Sequence, residues 1–244
     1  LLMQFCETAM NCPVEIEFAG VLGKNFDDIS EFDFLQVRPM VKEEGTVDID
    51  LASMPVEELL LTSESVLGNG VYRLQDIIYD KPATFDNART KEMATEIADL
   101  NRRLVSEQRP YLLIGPGRWG SADPWLGIPV RFPGISGAHA IVETSLPNML
   151  PDPSQGSHFF QNLTSFHIAY FTTRHYKSED RIDWDWLDAL PVVEETGWIR
   201  HVRASEPLEI VVDGQSGSGA VFKRRQERQI TSTDELLSGN EGWN

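Results

Sequence analysis

A glycine-rich turn that follows a short apolar run constrains this chain more than any other stretch. Tyr111 to Ile114 are four apolar residues in a row, and they predict a short buried strand. The six residues that follow, GPGRWG, contain three glycines, which permit positive φ or a close backbone approach. In an α/β protein, a loop that leaves the end of a buried strand is where ligands tend to bind. The stretch therefore predicts a candidate binding loop.

Two interpretations of this loop remain open. In the functional one, Gly115, Gly117, Gly120 and Ser121 surround a small anion, and Arg118 adds a forked cation. In the structural one, the loop is a sharp crossover, the arginine pairs with a carboxylate and the neighbouring tryptophan fills core. The glycine spacing is neither that of a P-loop nor that of a dinucleotide fingerprint, so the motif names no ligand.

A second glycine-bearing loop precedes a predicted helix later in the chain. Ser157 is a natural N-cap, and the aromatic residues after it predict a helix with a buried face. His158 and several backbone amides would then lie at a helix N-terminus, which favours anions. We expect His158 either to join a pocket shared with the Arg118 loop or to act catalytically as a phosphoacceptor. The match to a phosphohistidine motif is short.

The charge of the chain limits its partners. Its 244 residues carry a formal net charge of −17, which disfavours nucleic acid and anionic membranes because both would be repelled. A local phosphate site is still compatible with this charge, since one arginine and a few amides suffice. No apolar run approaches the length that spans a bilayer. The only cysteines, Cys6 and Cys12, form no disulfide framework, so a cytoplasmic location is expected.

The first forty residues predict a helix followed by a β-hairpin. Apolar residues recur at helical spacing over residues 1–11, and Pro13 ends that helix. Residues 13–20 and 32–39 both alternate between apolar and polar side chains, as the two strands of a hairpin do. The polar face would carry Glu15, Glu17, Gln36 and Arg38. Periodicity alone favours a half-exposed hairpin without chemistry.

The two strand segments, PVEIEFA and FLQVRP, add a family resemblance. Together they resemble the closing hairpin of the ATP-grasp nucleotide-binding domain in the phosphoenolpyruvate synthase and pyruvate phosphate dikinase family. That family carries an acidic-Ile-Glu strand and then a Leu-Gln-x-Arg-Pro strand in the same order. The resemblance covers about the first forty residues.

The resemblance implies a nucleotide site with Mg²⁺ and ATP as cofactors in the full-length parent. By this similarity Glu17 is a magnesium ligand, and Glu15 stands beside it. Gln36 lies at the same metal–phosphate site, and Arg38 contacts the transferred phosphoryl group as a catalytic residue. Carboxylate oxygens hold magnesium across the phosphates, and a guanidinium neutralises charge on the transferred group. The rest of the ATP-grasp domain is expected before Leu1, so upstream domains of the same polypeptide are expected partners.

The remainder of the chain predicts alternating helices and strands. We expect a helix over 54–61, a strand over 71–79 after a glycine turn, and an amphipathic helix over 86–108. Two further strands are predicted at 139–144 and 166–173. A short acidic-aromatic helix at 183–188, strands at 198–204, 208–213 and 220–224, and a mobile tail from 226 complete the prediction.

A second resemblance covers the segments YLLIGPGRWGS, DPWLGIPV and PSQGSHFF. In combination they resemble the C-terminal region of bacterial proteins described as phosphoenolpyruvate-synthase-like. The resemblance supplies a label for this region and no mechanism.

The sequence therefore predicts an α/β protein with a mixed sheet flanked by helices and a small N-terminal hairpin that is the remnant of an ATP-grasp domain. We expect residues 1–45 to end that domain, 46–225 to form an α/β domain and 226–244 to form a flexible tail. The leading function is the C-terminal part of an ATP-dependent phosphotransferase that binds nucleotide and a small phosphorylated or carboxylate metabolite. Two alternatives stay open, a non-catalytic module that senses small anions and a structural assembly domain.

Overall fold

The structure is a computed structural model that describes residues 2–12, 14–21, 31–39, 54–147, 149, 168–174, 176–177 and 180–224. The chain divides into two compact units, Leu1–Glu44 and Gly45–Asn244. Ser157, His158 and the predicted tail lie outside the described residues.

The described residues of the N-terminal unit form a helix and a hairpin, as the sequence predicts. Helix α1 spans Leu2–Met10, and strands β1, Val14–Val21, and β2, Glu31–Pro39, pair antiparallel. A register shift falls between Glu17 and Phe18. Such a shift, in which one strand has a residue more than its partner, bends the strand and increases its local twist.

The larger unit contains twelve strands and two α-helices in its described part. These elements are, in chain order, β3 (Leu59–Ser63), β4 (Val66–Leu67), β5 (Asn69–Asp80), α2 (Thr90–Ser106), β6 (Tyr111–Pro116), β7 (Arg118–Trp119), β8 (Gly127–Ile128), β9 (Ala138–Thr144), β10 (Ala169–Thr173), β11 (Arg181–Ile182), α3 (Trp184–Ala189), β12 (Val192–Glu195), β13 (Ile199–Asp213) and β14 (Ser218–Phe222).

Ten of these strands form one mixed sheet, which confirms the predicted fold class. The order of nine of them is β11-β3-β14-β13-β5-β6-β9-β10-β4, and the tenth, β12, pairs with the N-terminal part of β13. Strands β5, β6, β9 and β10 run parallel to their neighbours in that group, and the other pairings are antiparallel. The assignment of the N-terminal hairpin to an ATP-grasp domain stays a prediction.

Helix α2 is the crossover between the parallel strands β5 and β6, a connection that such a pair requires. The predicted apolar stripe of this helix is buried on the sheet: Met93, Ile97, Leu100 and Leu104. A 3₁₀ turn at Asn87–Arg89 directly precedes this helix, and the Asp86 carboxylate accepts a hydrogen bond from the Ala88 amide there at 2.9 Å.

Within the described ranges no helix is both long and apolar enough to cross a membrane.

The sheet curls until its two ends meet at the short connection between β3 and β4. Strand β3 pairs with β14 at one end of the order, and β4 pairs with β10 at the other. The Ser63 hydroxyl donates to the Thr172 carbonyl at 2.5 Å, and the Thr172 amide donates to the Ser65 carbonyl at 2.8 Å. These two bonds pair the backbone amide and carbonyl of Thr172, which would otherwise be unpaired at an edge of the sheet.

Residues in the same row of the parallel strands face the same side of the sheet, and the rows alternate. Tyr79, Ile114, Val142 and Phe171 belong to the core inside the curl. Ile78, Leu113, Ile141 and Tyr170 belong to the core under α2. Both faces of these strands are therefore buried, as expected for parallel strands in an α/β protein.

The predicted helix at 54–61 is wrong. Only Val56–Glu58 form a 3₁₀ turn, and the chain then enters β3, whose five residues are all buried. A short apolar run such as Leu59 to Leu61 fits a buried strand as well as a helix, and pairing with β14 decides between them.

The strands predicted at 198–204 and 208–213 are one long strand, β13, with a register shift between Arg203 and Leu208. The predicted hairpin to β14 is present, and Gly217 adopts a φ of +76° in its turn. The predicted helix at 183–188 is also confirmed, and the Asp183 carboxylate caps it by accepting the Trp186 amide at 3.1 Å.

Candidate functional site

The carboxyl ends of the parallel strands gather polar residues on the side of the sheet that faces α2. Gly115 of β6 pairs with Glu143 of β9, which pairs with Thr172 of β10. On the other side of β6, Asp80 ends β5, one residue beyond the Tyr79–Ile114 pair. This edge is where ligands bind in open α/β sheets.

The glycine-rich loop folds back over this edge because its glycines leave room for the chain itself. Gly117 and Gly120 adopt φ values of +73° and +83°. A Cβ on Gly115 would lie 2.5 Å from the Trp119 ring, which covers that position and is 2% exposed. The Trp119 indole nitrogen donates to the Val142 carbonyl at 3.0 Å. This burial agrees with the structural interpretation of the loop, in which the tryptophan fills core.

Four successive backbone amides of the loop are occupied by hydrogen bonds inside the protein. The amides of Gly117, Arg118 and Gly120 donate to the carbonyls of Thr144, Leu126 and Ile128 at 2.8, 2.7 and 2.8 Å. The Trp119 amide donates to the Glu143 carboxylate at 3.0 Å. A carboxylate of the protein thus takes the position in which an external anion would accept from this amide.

This geometry changes what anion binding at the loop would require. The Ser121 hydroxyl is also engaged locally, because it accepts the Asp123 amide at 3.2 Å. Of the residues predicted to bind an anion here, Arg118 alone has a charged donor. Anion binding by Gly115, Gly117, Gly120 and Ser121 stays a prediction, and the described conformation supports it only through Arg118.

Glu143, Tyr170 and Arg118 form the ionisable cluster of this edge. Glu143 is 4% exposed and Tyr170 is 2% exposed. Burial raises the pKa of the Tyr170 phenol well above its ordinary value, the Glu143 carboxylate raises it further, and the Arg118 charge opposes both. The Thr172 hydroxyl lies 3.4 Å from the phenol oxygen. A buried carboxylate and a buried phenol beside the half-buried Arg118 can orient a polar ligand at this strand edge.

Asp80 is the second buried carboxyl of the edge, and it has no hydrogen-bond partner among the described residues. It is 1% exposed. Burial is the main cause that raises the pKa of Asp80 to about 8; the nearby Lys81 charge lowers it and Glu96 raises it. A carboxyl held neutral in this way is a proton donor rather than an anion at neutral pH.

Sequence reasoning missed the roles of Asp80 and Tyr170. The available signal was positional, since both residues lie near the carboxyl ends of strands that the pattern did predict. Only the register of the sheet shows that Glu143 and Tyr170 lie together with the glycine-rich loop.

The residues predicted to bind nucleotide lie on paired positions of the N-terminal hairpin. The register places Glu17 opposite Gln36 and Glu15 opposite Arg38. The side chains of Glu17 and Gln36 are exposed, and those of Glu15 and Arg38 lie outside what the structure describes. The predicted partners of the second loop, Ser157 and His158, are not among the described residues.

The hairpin offers oxygen atoms of the kind that Mg²⁺ prefers. Magnesium is commonly held by one or two carboxylates together with substrate phosphates and water, rather than by a complete protein cage. Glu17 with Gln36 fits this pattern. Among the described residues no group of three or more His, Cys, Asp or Glu side chains is placed to hold a metal.

We predict that Gly127, which pairs with Arg118 across β7 and β8, does not tolerate a larger side chain. A Cβ on Gly127 would lie 1.9 Å from the Arg118 carbonyl oxygen. Gly127→Ala should therefore lower the free energy of unfolding by about 1–3 kcal/mol as the loop moves away, and should change Trp fluorescence. Chemical denaturation measures both. Gly197→Ala is the control, because an added Cβ there meets nothing within 4 Å; an equal loss in both variants would contradict the close approach.

Comparison with known proteins gives this chain no relatives: it matches no model of a protein family, no curated protein and no solved structure.

Proposed function

We propose that the chain is the C-terminal part of a phosphoenolpyruvate-synthase-like, ATP-dependent phosphotransferase. In this proposal the N-terminal hairpin completes a Mg-nucleotide site, with Glu17 and Gln36 at the metal and Arg38 at the transferred phosphoryl group. The larger unit binds or presents the phosphoryl acceptor. The pairing of Glu17 with Gln36 and of Glu15 with Arg38 across one hairpin carries the proposal.

Mg²⁺ needs hard oxygen ligands, and two facing residues of a hairpin can supply them beside the nucleotide phosphates. Arg38 lies two positions along β2 from Gln36, and in this proposal its guanidinium supplies a positive charge beside the metal. Such a charge stabilises the transferred phosphoryl group when negative charge builds up on its oxygens.

The test is the magnesium dependence of ATP turnover by the full-length polypeptide. Glu17→Gln removes a carboxylate and should raise the Mg²⁺ concentration for half-maximal rate by about 10–100-fold. Glu7→Gln is the control, because Glu7 is an exposed acid on α1 of the same unit. An unchanged magnesium requirement in Glu17→Gln would remove the metal role from the hairpin.

A second candidate is a non-catalytic module that binds a small phosphorylated or carboxylate metabolite at the carboxyl edge of the larger unit. The cluster of Arg118, Glu143 and Tyr170 favours it, because such a set can bind an anionic group and a hydroxyl together. Under either candidate we place the protein in the cytoplasm, with its own upstream domains and a small metabolite as partners.

Ligand-induced thermal stabilisation tests whether the larger unit binds such a metabolite by itself, since a ligand that binds only the folded state raises the melting temperature. Phosphoenolpyruvate, pyruvate, inorganic phosphate and sugar phosphates are tested without nucleotide. For the second candidate, one of them raises the melting temperature of wild type and fails to do so in Arg118→Ala. Arg89→Ala, at an exposed arginine paired with Glu92, should keep the full shift. The absence of any shift would leave the assembly role as the alternative.

A further inference from the structure

A groove of about 530 Å³ runs along the outer side of α2, and its volume is in the range of small-molecule sites. It lies between that helix and the segment that follows β8. Its lining residues from the helix are Lys91, Ala94, Thr95, Ala98, Asp99 and Arg102. Its lining residues from the facing segments are Ala122, Pro129, Val130, Arg131 and Gly134.

The floor of the groove is apolar and held in place by close packing. Gly134 approaches α2 so closely that a Cβ on it would lie 3.3 Å from the Ala98 Cβ. The Asn101 side chain donates to the Pro133 carbonyl at 3.1 Å, which fixes the 3₁₀ turn Phe132–Ile135 against the helix. The groove is therefore a preformed feature of two elements rather than a gap between mobile loops.

The rim of the groove is basic in a strongly acidic protein. Lys91 and Arg102 stand eleven positions apart on the helix, roughly 16 Å along its axis, and Arg131 faces them from the other wall. Among the described lining residues the one carboxylate is that of Asp99, which pairs with Arg102 at 3.0 Å. Across the described ranges neither Lys91 nor Arg131 has a hydrogen-bonding or ion-pair partner for its side chain.

We propose that this groove binds a small organic anion that has an apolar body and a phosphate or sulfonate-like head group. The described lining residues carry three cations and one carboxylate, a charge opposite in sign to the net charge of −17 on the whole chain. An anion is therefore drawn to this part of the surface and repelled from much of the rest. The alanines, Pro129 and Val130 bury the apolar body, and Lys91 and Arg131 bind the head group. None of the residues of the ionisable cluster, Arg118, Glu143 and Tyr170, lines this groove, so the proposal is independent of the proposed function.

The test is a titration of the isotope-labelled 244-residue chain with 1-naphthyl phosphate, followed by amide chemical shifts. Saturable changes should be confined to residues 91–102 and 129–134. 1-Naphthol and inorganic phosphate, which each carry half of the required chemistry, should bind at least about tenfold more weakly, since each forgoes either the apolar or the ionic contact.

A charge-reversal pair gives the decisive comparison. Lys91→Glu combined with Arg131→Glu should raise the dissociation constant for 1-naphthyl phosphate at least about tenfold, because attraction becomes repulsion at two exposed positions. Lys177→Glu, the same change at a lysine outside the groove, should leave it unchanged. Equal affinity in all three proteins, shifts centred elsewhere, or tighter binding of an oligoglutamate peptide than of 1-naphthyl phosphate would overturn the proposal.

Discussion

Replacing Asp76 with alanine should lower the free energy of unfolding by about 3–5 kcal/mol, because it removes a buried carboxylate that three side chains share as their hydrogen-bond acceptor. The Asp76 carboxylate is 2% exposed and receives hydrogen bonds from three side chains. One oxygen lies 2.8 Å from His201 Nε2 and 2.9 Å from Arg203 Nε, and the other lies 2.9 and 2.6 Å from two nitrogens of Arg109.

The same contacts set the pH range in which Asp76 stabilises the fold. Burial by itself would raise the pKa of Asp76, but the hydrogen bonds from His201, Arg109 and Arg203 outweigh it and lower that pKa to about 2. The native state therefore binds this proton less tightly than the unfolded chain does. The stabilisation is present above the ordinary pKa of 3.8 and is lost as the pH falls towards 2.

Urea denaturation of wild type, Asp76→Ala and Asp99→Ala measures this effect. Asp99→Ala is the matched control, because it removes an aspartate that pairs with Arg102 at an exposed position. Surface pairs of this kind contribute about 0–1 kcal/mol. Losses of similar size in the two variants would contradict the account of the buried cluster.

Replacing Asp80 with asparagine should stabilise the protein, and the gain should grow with pH. Asp80 is 1% exposed, and neither oxygen has a hydrogen-bonding partner in the part of the chain that the structure describes. Burial raises its pKa from an ordinary 3.8 to about 8, so the native state holds the proton more tightly than the unfolded chain. Its contribution to stability is therefore greatest below pH 4 and is lost as the pH rises to 8.

The size of the effect follows from the pKa difference. One pKa unit corresponds to about 1.4 kcal/mol, so ionising this buried carboxyl costs on the order of 5 kcal/mol near pH 8. Asparagine has nearly the same shape and cannot ionise. The difference in unfolding free energy between Asp80→Asn and wild type should approach that value at pH 8 and be small at pH 4.

Denaturation of both proteins at several pH values tests this prediction, with Asp185→Asn as the control at an exposed aspartate in α3. The control should give a difference from wild type that stays within about 0.5 kcal/mol over the same range. A pH-independent difference for Asp80→Asn would show that the carboxyl is already ionised, with a partner that stabilises it.

Local patterns predicted the elements whose own periodicity was strong. The stripe on α2 is one case, since Met93, Ile97 and Leu104 recur at helical spacing and all three are buried. The alternation in β1 and β2 is another, and it placed the hairpin correctly. Both signals lie within a few residues of sequence, so no distant partner was needed to read them.

Features that depend on distant partners were not predictable in the same way. Leu59 to Leu61 became a strand because β14, far along the chain, pairs with it. The glycine-rich loop predicted an anion site on its composition, but the acceptors of its amides are the carbonyls of Thr144, Leu126 and Ile128. Glycine residues indicate where the backbone can adopt unusual conformations, and only the fold shows whether a ligand or the chain itself occupies the space that they leave.

The ionisable residues of the candidate site show the same limit. Asp80 and Glu143 read as ordinary strand-end acids, and their burial follows from α2 and the loop packing over the sheet. Burial decides the chemistry of Asp80, since it is the main cause that raises the pKa of that carboxyl. A single sequence contains the residue types, whereas their solvent exposure is a property of the whole fold.

The measurement that tests the proposed function most directly is made on the full-length polypeptide. It is the paramagnetic broadening of backbone amide signals by Mn²⁺, which is used in place of Mg²⁺ with ATP in excess. ATP in excess sequesters free metal, so that acidic side chains elsewhere on the chain compete poorly for it. The amides around Glu17 and Gln36 should broaden first, and Glu17→Gln should remove that broadening while Glu7→Gln retains it. Broadening that is spread over the acidic surface, or that is centred on Gly45–Asn244 and unchanged in Glu17→Gln, would contradict a nucleotide role for the hairpin.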